Sequence, residues 1–232
     1  MKYEIQGTPF PIVDVYLQNG ESAVCQSGAM VWQDPNVQMQ TSSNGGFGKM
    51  LGRLVTGESL FQNTYTAQGG SGSITFSSSM PGNIIPFELA QGDVVIAQKS
   101  AFLASDQSVK FELYFQKKIS SGFFGGEGFI MQKFTGNGTL LLEAYGSVIE
   151  KVLQPNQVQI IDTGYLVAMD VDCSIEVQTI KGVTNVLFGG EGLFNTKVTA
   201  PPDRPVRLWL QTMPIYNLAM EVYKYIPKNY SS

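Results

Sequence analysis

Six carboxylates recur at matched places along this 232-residue chain. Glu127 stands in Gly125-Gly126-Glu127-Gly128-Phe129, Glu191 in Gly189-Gly190-Glu191-Gly192-Leu193, and Glu58 in the weaker copy Thr56-Gly57-Glu58-Ser59-Leu60. Upstream of each lies an aspartate. Asp106 precedes Glu127 by 21 residues, Asp170 precedes Glu191 by 21, and Asp34 precedes Glu58 by 24. Carboxylates held at equivalent places about an internal axis repel one another. They need a cation, shared protons or backbone donors. A hard ion such as Ca²⁺ or Mg²⁺ suits an all-oxygen set. The same residue types also accept hydrogen bonds from turn N–H groups, the commoner duty of Asp between strands. Both readings stand at the level of the residues.

Other chemistry is excluded or undersupplied. Histidine is absent, which removes Ser-His-Asp and Cys-His catalysis and every imidazole metal site. Cys25 and Cys173 lack metal-ligand spacing and are too few for a disulfide framework. Both fall at apolar positions of strand-like runs and read as small core residues. The glycine-rich phrases lead into strands and lack a Lys-Ser/Thr pair, so they read as tight turns or bulges, not phosphate cradles. The formal net charge is −4, with scattered cations, and offers no field for nucleic acid. No cofactor motif is present. There is no apolar run of signal-peptide or membrane-spanning length, so a cytoplasmic protein is expected.

The elements that must position the carboxylates repeat. With Leu17, Leu89 and Leu153 in register, Gly20, Gly92 and Asn156 fall together, then Val24, Ile96 and Ile160, then the three aspartates. After each aspartate comes an alternating run. Val109, Phe111, Leu113 and Phe115 alternate with polar neighbours in the period of a half-buried strand. Further strands follow the glycine phrases, at Phe61 to Thr66, Ile130 to Thr135 and Phe194 to Thr199, and each unit closes on one more. The expectation is an all-β fold, a β-sandwich or barrel of three internal repeats (15–86, 87–150 and 151–214) forming one compact body over 1–232.

Two stretches depart from the repeat. The extra residues of the first copy fall in 44–57, where Phe47, Met50, Leu51 and Leu54 have helical spacing with Lys49 and Arg53 opposite. Exposed, this would be a partner surface, or a weak anchor on an anionic membrane. At the end, Ile215, Leu218, Ala219, Val222 and Tyr223 predict a helix over 215–226 with one apolar stripe, covering an end of the β body.

The residues of one stretch carry a resemblance. Gly45-Gly46-Phe47-Gly48, Gly57-Glu58-Ser59-Leu60-Phe61 and Thr66-Ala67-Gln68-Gly69-Gly70 look like the uncharacterised TRAP-like β family. Its eukaryotic relatives are the "altered inheritance of mitochondria" proteins of mitochondrial biogenesis. The resemblance implies a TRAP-like fold of repeats and a homo-oligomer, with no established catalytic activity and no functional residues to transfer. The resulting expectation is a non-enzymatic, self-associating scaffold or binding protein, with an unidentified protein partner as a further prospect. The alternatives are small-molecule or metal-ion binding through the six carboxylates, and peripheral membrane attachment through 44–57.

Overall fold

The computed structural model describes residues 1–40, 62–117, 128–179, 194–223 and 225–226. The 44–57 insertion and the three glutamate phrases, Gly128 and Phe129 apart, lie outside them. Strand predominates in the described chain. First come β1 (Lys2–Gln6), β2 (Ile12–Leu17), β3 (Ser22–Gln26), β4 (Met30–Gln33), β5 (Val37–Gln40), β6 (Gln62–Ala67) and β7 (Gly72–Ser77). Then follow β8 (Gly82–Leu89), β9 (Val94–Gln98), β10 (Phe102–Asp106), β11 (Lys110–Lys117), β12 (Phe129–Thr135) and β13 (Gly138–Tyr145). The last are β14 (Val148–Leu153), β15 (Val158–Asp162), β16 (Leu166–Asp170), β17 (Ser174–Thr179), β18 (Phe194–Thr199) and β19 (Val206–Gln211), ahead of helix α1 (Ile215–Tyr223).

All pairing is antiparallel, in four sheets. Their orders are β1-β2-β7-β4, β5-β6-β3-β10-β13-β8, β11-β12-β9-β16-β19-β14 and β15-β18-β17. Three apolar cores lie between successive sheets. The first joins Val13, Val15, Ile74 and Phe76 of the first sheet to Cys25 and Tyr65 of the second. The second joins Leu140 and Leu142 to Ala97, Phe134 and Trp209 of the third. The last joins Ile96, Met131 and Leu208 to Ile161 and Val198 of the fourth. The two inner sheets therefore have a core on each face. This explains why β10 and most of β16 are buried continuously instead of alternately.

Tight turns set the registers. Gly20, Gly92 and Asn156 all have positive φ, at +82°, +97° and +62°, a backbone region that favours Gly and tolerates Asn. Around each, one side chain accepts the N–H three residues back at 2.9 Å: Glu21 from Gln18, Asp93 from Ala90, and Gln157 from Gln154. The glycines aligned in the sequence thus mark hairpin turns of one construction.

Two expectations are corrected. Leu113 does not share a buried face with Phe111 and Phe115; it is largely exposed. The β11–β12 ladder shifts register between Leu113 and Phe115, and such a bulge turns the strand over. Phe111 accordingly packs on the second core and Phe115 on the third. Helix α1 ends at Tyr223 and buries none of its residues. It meets the body through its first turn, where Asn217 donates to the Tyr165 hydroxyl at 3.1 Å, and its apolar stripe continues past the body into solvent.

Cys25 and Cys173 are core residues, at 0% and 2% exposure. Burial pushes both thiols up to about 12, where no useful thiolate forms at neutral pH. Ellman's reagent should therefore find no reactive thiol in the native protein near pH 8, and two per chain in guanidinium; rapid native reaction at either site would contradict this packing.

Candidate functional site

Each aspartate singled out by the spacing sits where one strand turns into the next. Its carbonyl closes the turn: Asp34 O accepts from Val37 N at 3.0 Å, Asp106 O from Val109 N at 3.0 Å, and Asp170 O from Cys173 N at 3.2 Å. Its carboxylate reaches across to an adjacent strand. Asp34 accepts the Ser73 N–H, Asp106 the Thr139 N–H and Asp170 the Arg207 N–H, each at 2.7 Å. Charge-assisted bonds of this kind are shorter and stronger than neutral ones. The three differ in their supporting donors. Asp34 also takes the Ser73 hydroxyl, Asp106 the N-terminal ammonium at 2.8 Å, and Asp170 the Arg207 guanidinium at 3.5 Å. Gly138 is required here, because a Cβ on it would stand 2.7 Å from Asp106 Oδ2.

The structure thus brings each aspartate to a backbone donor and not to the other two. Among the described residues, no three acidic or thiol side chains gather to hold a metal. Glu58, Glu127 and Glu191 lie outside the described residues, as do Phe47, Lys49, Met50, Leu51, Arg53 and Leu54.

A seventh carboxylate, outside the repeated spacing, matters more for local electrostatics. Glu143 lies in β13 at 2% exposure. Its signal was an acid inside the apolar run Leu140-Leu141-Leu142-Glu143-Ala144, which a half-buried strand would not place between core residues. The Ser79 N–H donates to it at 2.8 Å, the Ser78 hydroxyl at 2.9 Å, the Ser79 hydroxyl at 3.0 Å and the Tyr145 hydroxyl at 3.4 Å. Burial raises the Glu143 carboxyl above its ordinary range, and these donors pull part of that back. Burial, and then the charge of Glu143, push Tyr145 up to about 12. Both carboxylate oxygens are engaged, so the cluster ties β13 to the segment after β7.

The remaining feature is apolar. On β4, Met30, Val31 and Trp32 are exposed, and on β15 so are Val158 and Ile160. Among the described residues each strand has a neighbour on one side only: β4 pairs with β7, and β15 with β18. No helix among the described residues is long and apolar enough to cross a membrane.

Stacked antiparallel sheets, acids spent on turn N–H groups and bare strand edges define a class of all-β protein built on backbone pairing. Its relatives say which one. The model of the AIM24 family, mitochondrial biogenesis AIM24, matches residues 3–213, and the chain belongs to that family. It is 32% identical over 195 residues to the uncharacterized protein M6_Spy0233 of Streptococcus pyogenes serotype M6, spanning 81% of this chain and 77% of the relative. It is also similar to the crystal structure of protein SPYM3_0169 from Streptococcus pyogenes, with a TM-score of 0.80 and 27% identity over 97% of this chain and 99% of that one.

Two measurements test the site. Asp34→Ala should lower the unfolding free energy by about 1–2 kcal/mol, and Asp34→Asn, which keeps an acceptor for the Ser73 N–H, by less than half as much; equal losses in urea titrations would deny the clamp. For Glu143 the sign follows from a folded carboxyl that holds its proton more tightly than the unfolded one. Stability is greatest below the ordinary carboxylate range and falls as pH rises through it, until the folded carboxyl has also ionised. Both Glu143→Gln and Glu143→Ala should flatten that decline, and Glu143→Ala, by orphaning its donors, should be less stable than Glu143→Gln by about 2–3 kcal/mol; an unchanged pH slope in Glu143→Gln would refute this.

Proposed function

We propose that this protein is a non-enzymatic scaffold that assembles with copies of itself, built from three tandem units of a TRAP-like β design. The single observation carrying this is the apolar surface left on its strands. Val31, Trp32, Val158 and Ile160 are exposed on strands that have one neighbour each among the described residues. Contiguous apolar strand surface marks an interaction site, and an unpaired edge is a ready place for another strand.

The three-unit reading has its own support. Strands β2, β8 and β14 end on Leu17, Leu89 and Leu153; β3, β9 and β15 follow after turns of one construction; β4, β10 and β16 each lead into an aspartate clamp. Each unit supplies six strands, with β1 as an N-terminal addition. A scaffold without chemistry of its own is favoured by groups already committed elsewhere: the aspartates to backbone N–H groups, Glu143 to its four donors, both thiols to the core. The ion-binding alternative is weakened by those same aspartate bonds. Peripheral membrane attachment rests on 44–57, and nothing in the described residues favours it.

Light scattering coupled to size exclusion should give a mass of at least two protomers at tens of micromolar; a monomer throughout that range would end the scaffold reading.

A further inference from the structure

From the sheet order we infer that copies of this protein join head to tail, β15 of one pairing antiparallel with β4 of the next. The inference rests on the three-unit reading above and names the surfaces through which assembly proceeds.

The chain makes this junction twice within itself. At the first, β3 of one unit pairs with β10 of the next, setting Cys25 opposite Ala104, Val24 opposite Ser105 and Ala23 opposite Asp106. At the second, β9 pairs with β16, setting Ala97 opposite Ala168, Ile96 opposite Met169 and Val95 opposite Asp170. The two registers are the same once the units are aligned. Each turns two three-stranded halves into one six-stranded sheet. The third junction is left open among the described residues: β4 ends the first sheet, and β15 ends the fourth. Even the irregularity matches. The ladder shifts between Met30 and Trp32 in β4, between Phe102 and Ala104 in β10, and between Leu166 and Ala168 in β16.

Side-chain burial supports the same conclusion. At the inner junctions, the later strand fills the core of the preceding unit. Leu103 and Ala104 enter the first core, and Val167 and Ala168 the second, all at 1% exposure or less. The matching residues of β4, Val31 and Trp32, meet no such core among the described residues and are 46% and 54% exposed. The earlier strand fills the core that follows. Val24 packs on the second core, and Ile96 is fully buried in the third. Ile160, their counterpart on β15, has no core to enter and is 56% exposed. One end lacks what the other end carries. The occupant of each edge is therefore a second copy of this chain, and the inner registers place Trp32 opposite Ile161, Gln33 opposite Ile160 and Asp34 opposite Gln159 of the neighbour. An interface of this kind uses two different surfaces, and repetition closes it into a ring or extends it as a fibre.

Two edge-blocked variants decide it. Val31→Lys with Trp32→Lys spoils the β4 end, and Val158→Lys with Ile160→Lys spoils the β15 end; circular dichroism and a cooperative melt check that each folds. Each variant alone should lose assembly and run as a monomer, and the equimolar mixture should give a species of twice the protomer mass and nothing larger, because each partner retains one working end. A variant that keeps the wild-type mass by itself, or a mixture that stays monomeric, overturns the head-to-tail junction while leaving self-association by another surface intact. A wild-type monomer removes self-association itself. If either blocked variant fails to fold, Gln33→Cys and Ile160→Cys made in separate chains and mixed under mild oxidation should give a disulfide-linked dimer that neither forms alone; no mixed dimer, or equal dimer from each alone, overturns the register.

Discussion

The rest of this structure depends on two pairings of strands distant in the chain, β3 with β10 and β9 with β16. Each such pair sits at the middle of a six-stranded sheet with an apolar core on either face. Backbone groups at that depth have no water to turn to, so the ladder must be complete. Side chains on both faces are equally constrained, because each core is shared by two sheets and filled from both. The cores are thus not three independent centres. Removing one sheet would strip a face from the next.

Within that constraint the acids are turn hardware. An aspartate at the end of a strand could face solvent, hold an ion or close a turn. Here the 2.7 Å bonds from Ser73, Thr139 and Arg207 show the last. The same carboxylate fixes where the closing strand begins relative to its neighbour, and so helps set which residues face the core. Glu143 does a related task across a longer gap, fastening β13 to Ser78 and Ser79. Its burial is tolerable because four donors surround it.

Much of this was legible in the residues. The strands after the glycine phrases, the turn positions at Gly20, Gly92 and Asn156, and the core placement of both cysteines follow from periodicity and alignment alone. Leu113 was not legible, because a bulge adds one residue to a strand without changing its composition. Nor was the exposure of α1, whose stripe specifies an apolar face but not what lies beneath it. The sheet order was hidden for a deeper reason. A strand's alternation tells which face is apolar and says nothing of which strand lies beside it, so the pairing of β3 with β10 and β9 with β16 could not be read from the pattern. Glu143 was visible as an acid among leucines, but its role came only with Ser79 brought 2.8 Å away.

The unequal sheets have a consequence for how the molecule breathes. The fourth sheet has three strands and one core, while the two inner sheets have six strands between two cores. In a linear stack, local opening is easiest where an element has fewest neighbours. Amide protons of β15 should accordingly exchange with solvent sooner than those of β10 or β13 in an isolated chain. Stability is graded along the stack, lowest at the two terminal sheets and highest between them.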